Sequence, residues 1–86
     1  MIGIVIGKNR GYFEIEKAYD GKPYKSRFIQ IEQIEQNGVI RIEKINVPND
    51  NEIINKVANL KINENIELYV QFGVFNGNLT KKVVDV

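Results

Sequence analysis

Over most of this chain, polar and apolar positions alternate with a period of two. Ile2-Gly3-Ile4-Val5-Ile6 opens a first run, and residues 12–18 resume it beyond Gly7-Lys8-Asn9-Arg10-Gly11. Residues 24–35 form a second run and 39–47 a third. In residues 66–75, Ile66, Leu68, Val70, Phe72 and Val74 share one face while Glu67, Tyr69 and Gln71 share the other. Residues 78–85 form the last run. Such alternation marks half-buried strands. Ile dominates the apolar set, and its branched β-carbon favours extended backbone. Two glycines flanking Lys8-Asn9-Arg10 predict a bulge, a bend or a short loop inside the first strand region.

Asp20-Gly21, Asn37-Gly38 and Asn76-Gly77 each lie between two of these runs. Such pairs supply the positive φ angles of tight hairpin turns. One segment leaves the period of two. Ile53, Ile54, Val57 and Leu60 have helical spacing, and Pro48 ends the strand before them. Asn49 followed by Glu52 resembles a capping box. The spacing predicts a helix of about three turns from Asn51 to Leu60. The whole chain, residues 1–86, therefore reads as one mainly β domain: a five-stranded OB-fold-like Greek-key barrel with one helix between strands 3 and 4. An SH3-like barrel is the alternative, but a full helix before the fourth strand fits the OB order better.

Composition removes much chemistry. No cysteine is present, so neither a disulfide nor a thiolate site can form. Histidine is also absent, and with it the usual general base and the commonest metal ligand. Glu14 and Glu16 share one strand face and read as solvated surface, not as an acid–base pair. The expectation is a non-enzymatic protein with no metal and no cofactor. The first strand follows Met1 at once, without a basic segment and a long apolar one, so a signal peptide is not expected. No run reaches the ~18 apolar residues of a membrane helix, and the expected location is cytoplasmic. Asn78-Leu79-Thr80 fits a glycosylation sequon and is read as chance.

The net charge is +1, but its distribution is uneven. Lys8, Arg10, Lys17, Lys22, Lys25 and Arg27 make the first third basic, whereas acids outnumber bases from Phe28 to Val70. This asymmetry can place a positive face on a nearly neutral protein. The most informative stretch is Tyr19-Asp20-Gly21-Lys22-Pro23-Tyr24-Lys25-Ser26-Arg27. It joins a hairpin tip, two tyrosines and three bases. Single-stranded nucleic acid offers bare base faces and a charged backbone, so a binder without sequence preference needs rings for one and cations for the other. In a strand from Tyr24, residues Tyr24, Ser26 and Phe28 share a face, and Lys25 and Arg27 share the opposite one. The bland alternative is a charged hairpin with Tyr24 covering the barrel edge.

Gly21-Lys22-Pro23-Tyr24, at the turn between the first two strands, resembles the Gly-Lys-Pro-Tyr of the filamentous-phage gene V single-stranded DNA-binding proteins. Phe72-Gly73-Val74-Phe75-Asn76-Gly77-Asn78-Leu79 is similar to that family's last hairpin. The resemblance spans most of the chain in element order and rests on these two short motifs. It implies that Tyr24 stacks on a base within a projecting wing and that Lys22 is a wing cation. It also implies that Phe75 lies at the last hairpin tip, near ligand or a neighbouring protomer. The chain departs from the family pattern at Tyr19, where the family has arginine, at Ser26, where it has an apolar residue, and near Glu32, where a second stacking tyrosine would fall.

The candidate nucleic-acid-binding residues are thus Tyr24, Lys22, Lys25, Arg27, Tyr19, Lys8, Arg10 and Phe75, with Lys8 and Arg10 reading equally as a solvated loop. Phe13 and Ile15 are assigned to the core, with Tyr12 outward. Phe28, Ile29 and Ile31 also read as core. Tyr69 belongs to a dimer interface, the groove or plain surface. The expected function is coating of single strands in phage or mobile-element replication or transfer, as a homodimer. Nothing in the sequence reads a 2′-hydroxyl, so DNA and RNA are both covered. Four neutralised phosphates imply a log–log salt slope of about −2.8. The alternative is a protein-interaction module, a phage-type inhibitor or adaptor, using Tyr69, Tyr12, Phe75 and the acidic middle segment.

Overall fold

A computed structural model describes all of residues 1–86. Its elements are β1 (Ile2–Tyr19), β2 (Lys22–Ile34), β3 (Ile40–Asn46), α1 (Asn51–Ala58), β4 (Asn65–Phe75) and β5 (Asn78–Asp85). The strands close into a barrel in the order β1-β2-β3-β5-β4, and the single helix lies between β3 and β4, so the protein is an OB-fold-like barrel. All ladders are antiparallel except β3–β5, which meets in parallel at Asn46 and Lys82. No helix is long and apolar enough to cross a membrane.

β1 serves two neighbours in succession. Residues Ile2 to Lys8 pair with β4, and Lys8 to Tyr19 pair with β2. The glycine-flanked triplet is a β-bulge: Asn9 opposes Ile31, Gly11 opposes Gln30, and Arg10 is the extra residue. The strand is therefore continuous through the triplet, not interrupted by a loop. The bulge also reverses the parity of the faces. Before it, odd-numbered Val5 packs on the core while Ile2, Ile4 and Ile6 face out; after it, even-numbered Tyr12 packs on the core. Phe13 and Ile15 are consequently exposed, which corrects their assignment to the core. Burial pushes the Tyr12 phenol above its ordinary pKa.

The core is small. Ile29 and Ile31 of β2, Ile45 of β3, Val47, Leu68 and Val70 of β4, and Val83 of β5 fill the barrel, and Val57 of α1 plugs it. The odd positions of early β1 have little room. A Cβ at Gly7 would crowd Ile31 Cγ2 and stand 2.7 Å from the Glu32 carbonyl oxygen. Gly7→Ala is expected to destabilise the fold by about 1–3 kcal/mol, because backbone and not only side chain must yield. A urea midpoint followed by circular dichroism measures this.

The Asp20-Gly21 and Asn76-Gly77 turns have positive φ at both residues, as two-residue hairpins demand. Asn37-Gly38 sits instead in a longer connection closed by the Glu35 N–H donating to the Val39 carbonyl. The helix is eight residues long, shorter than its periodicity predicts. Its N-cap is Asp50, not Asn49: Oδ1 accepts from the Glu52 N–H at 3.0 Å and the Ile53 N–H at 3.4 Å. Leu60 packs on the core from just beyond the helix end.

Candidate nucleic-acid interface

The β1–β2 hairpin is longer than the barrel needs. The β2–β3 ladder begins at Phe28 opposite Asn46, so Glu14–Tyr19 and Lys22–Arg27 have only each other as strand partners. Six residues of strand make a wing about 20 Å long. Its tip is Asp20-Gly21, and its base is set by the bulge.

Asn9 holds that bulge. Its side chain is buried; Nδ2 donates to the Leu60 carbonyl at 3.2 Å and the Lys61 carbonyl at 3.1 Å. Oδ1 accepts from the Gly11 N–H at 2.9 Å. The backbone N–H of Asn9 donates to Glu64, and its carbonyl accepts from Asn63. One side chain thus ties the point where the wing leaves the barrel to the loop between α1 and β4. Gly11 has φ +127° there, a conformation that disfavours any side chain, and the Phe13 ring covers it.

The pairing register sorts the wing into two faces. Phe13 opposes Phe28, Ile15 opposes Ser26, Lys17 opposes Tyr24, and Tyr19 opposes Lys22. These residues share one face. The Phe13 and Phe28 rings stack with centroids 5.6 Å apart and an interplanar angle of 27°. Lys44 of β3 places its Nζ 4.5 Å from the Phe28 ring centroid. Phe28 is therefore buried, as the sequence suggests, but outside the core cluster, beneath Phe13 and Lys44. Tyr24 is 48% exposed and Tyr19 74%. From Phe13 to Tyr19 this face carries Lys17, Lys22 and Lys44 and no carboxylate, and none of the three lysines has an ion-pair partner.

The other face is compensated. Lys25 Nζ lies 3.9 Å and Arg27 Nε 3.8 Å from the same Glu14 carboxylate oxygen. Arg10 is tied by Nη1 donating to Asn63 Oδ1 at 2.9 Å, with Glu32 at 3.9 Å. Lys8 stands beside the bulge opposite Glu32 without an ion pair. Phe75 is exposed near the β4–β5 tip, past the Ile2–Gln71 end of the β1–β4 ladder, whereas Tyr24 pairs with Lys17 near the opposite end of β1.

The fold thus brings together Tyr24, Tyr19 and Lys22 from the sequence-derived set. It separates Lys25 and Arg27 onto the reverse side and Phe75 onto another hairpin. Sequence reasoning missed Phe13, Ile15, Lys17 and Lys44 as members of the same surface. Lys17, Ile15 and Phe13 were all legible from hairpin pairing once Asp20-Gly21 is set as the turn, because the register from Tyr19–Lys22 to Phe13–Phe28 is unbroken; only that this face points away from the core was not. Compared with protein-family models, curated protein sequences and solved structures, the chain matches none.

Proposed function

We propose that the protein binds single-stranded nucleic acid, DNA foremost, without sequence preference, through the ring-bearing face of the β1–β2 wing. The observation that carries this reading is that face itself: exposed Phe13, Tyr19 and Tyr24 rings interleaved with unpaired Lys17 and Lys22, with Lys44 at its root. Rings stack on bases of any identity, and ammonium groups follow the phosphates. OB-type barrels bind oligonucleotides on the β2–β3 face and the loop joining strands 1 and 2, the region this surface occupies. Coating strands in replication or transfer, as a homodimer, is the role such a binder fills, and it agrees with the gene V-like Gly21-Lys22-Pro23-Tyr24.

Titration of fluorescent oligo-dT at low salt tests the reading. Three phosphate-contacting lysines give a log–log salt slope of about −2.1, slightly shallower than four contacts would give. Replacing Lys17 and Lys22 with alanine is expected to flatten that slope by about 1.4. Replacing Lys25 and Arg27 is expected to change it less, since Glu14 already compensates them. No binding by the wild type sinks the proposal and leaves the protein-interaction alternative. That alternative loses one of its three rings, because Tyr12 packs on the core.

A further inference from the structure

Early β1 carries a second surface that nucleic-acid binding does not use. Two bonds set its backbone parity. Phe72 N–H donates to the Met1 carbonyl at 2.8 Å, and Asn9 N–H donates to the Glu64 carbonyl at 2.9 Å. Between them the β1–β4 register is unbroken, so odd-numbered residues of β1 bond β4 and even-numbered ones point their N–H and C=O groups the other way. Gln33 Nε2 donates to the Ile6 carbonyl at 3.0 Å from that other side, as this parity requires. The β2 ladder starts only at Lys8. Ile2 and Ile4 therefore present unpaired backbone groups along an open edge. Their side chains, with that of Ile6, stand 55–64% exposed on the outer face, next to half-exposed Tyr69 opposite Ile4.

Soluble proteins blunt such an edge with charge, proline or a cover. Ile2 to Gly7 contains none of these residues. We infer that a second copy of this chain covers it, with the two β1 edges pairing antiparallel about a twofold axis at Ile4. The edge is complementary to itself in that register. Ile4 meets Ile4 of the partner subunit, Ile2 meets the partner's Ile6, and no like charges oppose one another. Gln33 gives up the Ile6 carbonyl to the partner's backbone. The joined stripes of isoleucine, flanked by Tyr69 and by Ile34 across the groove from Ile6, form the apolar centre of the interface. A standard interface takes about 800 Å² from each partner. That is a modest share of the 6168 Å² surface.

This inference deepens the proposed function, which expects more than one copy, and the two fail separately. Light scattering of the full chain should give the mass of two copies, and Ile4→Lys should give the mass of one with unchanged circular dichroism. The absence of cysteine makes a second test clean. Paired residues on hydrogen-bonded antiparallel strands have Cα atoms about 5.5 Å apart, within disulfide reach. Ile4→Cys should therefore oxidise to a covalent dimer. Ile2→Cys alone should not, since its two copies lie about 14 Å apart, whereas a mixture of Ile2→Cys and Ile6→Cys should. Ile4→Lys should still bind a short oligonucleotide, and Tyr24→Ala should stay dimeric. A one-chain mass at the highest soluble concentration overturns the inference. So does oxidation that links Phe75→Cys and leaves Ile4→Cys free.

Discussion

Tyr24→Ala is expected to weaken oligo-dT binding between about fivefold and 150-fold, the loss of one stacked base at roughly 1–3 kcal/mol. The ring is half exposed on the wing, and its cross-strand neighbour is Lys17. Nothing in the barrel core rests on it. The variant should therefore unfold at the wild-type denaturant concentration while losing affinity. Tyr24→Phe retains the flat ring and should retain most of the binding. Phe13→Ala is a harsher probe, because the Phe13 ring also covers Phe28 and the wing base. A fluorescence anisotropy titration at constant low salt reads all three. Unchanged affinity in Tyr24→Ala places the nucleic-acid site elsewhere on the molecule.

Asn9→Ala is expected to destabilise the fold by about 2–5 kcal/mol. A buried polar group left without its partner costs about 1–3 kcal/mol, and this side chain serves one buried N–H in full and two part-buried carbonyls that water partly reaches, so they add less. A domain of this length has roughly 4–13 kcal/mol in total, so the loss is a large share. Asn9→Asp is the sharper version. It keeps an acceptor for Gly11 but turns oxygen toward the Leu60 and Lys61 carbonyls, where Nδ2 now donates. Asn9→Asp should unfold at least as readily as Asn9→Ala. Urea unfolding monitored by circular dichroism measures both. Near-wild-type stability in either variant contradicts the role given to this residue. Folded molecules of either variant should also hold the wing less rigidly, so their oligonucleotide affinity should fall even where the barrel survives.

The element order, the two-residue turns at Asp20-Gly21 and Asn76-Gly77, and the OB-like topology were all legible along the chain. Their causes are local: alternation, positive-φ turn residues and a single break in period at Asn51–Leu60. The wing and the shared face of Tyr24, Ser26 and Phe28 followed from the same rules. Which side of β1 faces inward was decided only by tertiary structure. Alternation defines two faces but does not orient them, and one inserted residue at the bulge exchanges them. That is why Ile2, Ile4, Ile6, Phe13 and Ile15 lie outside while Gly7 and Tyr12 lie within. The arrival of Lys44 over Phe28 and the grip of Asn9 on Leu60 and Lys61 join residues far apart along the chain. The first depends on the β2–β3 register and the second on how the α1–β4 loop docks on β1, and for neither does a local pattern carry a signal.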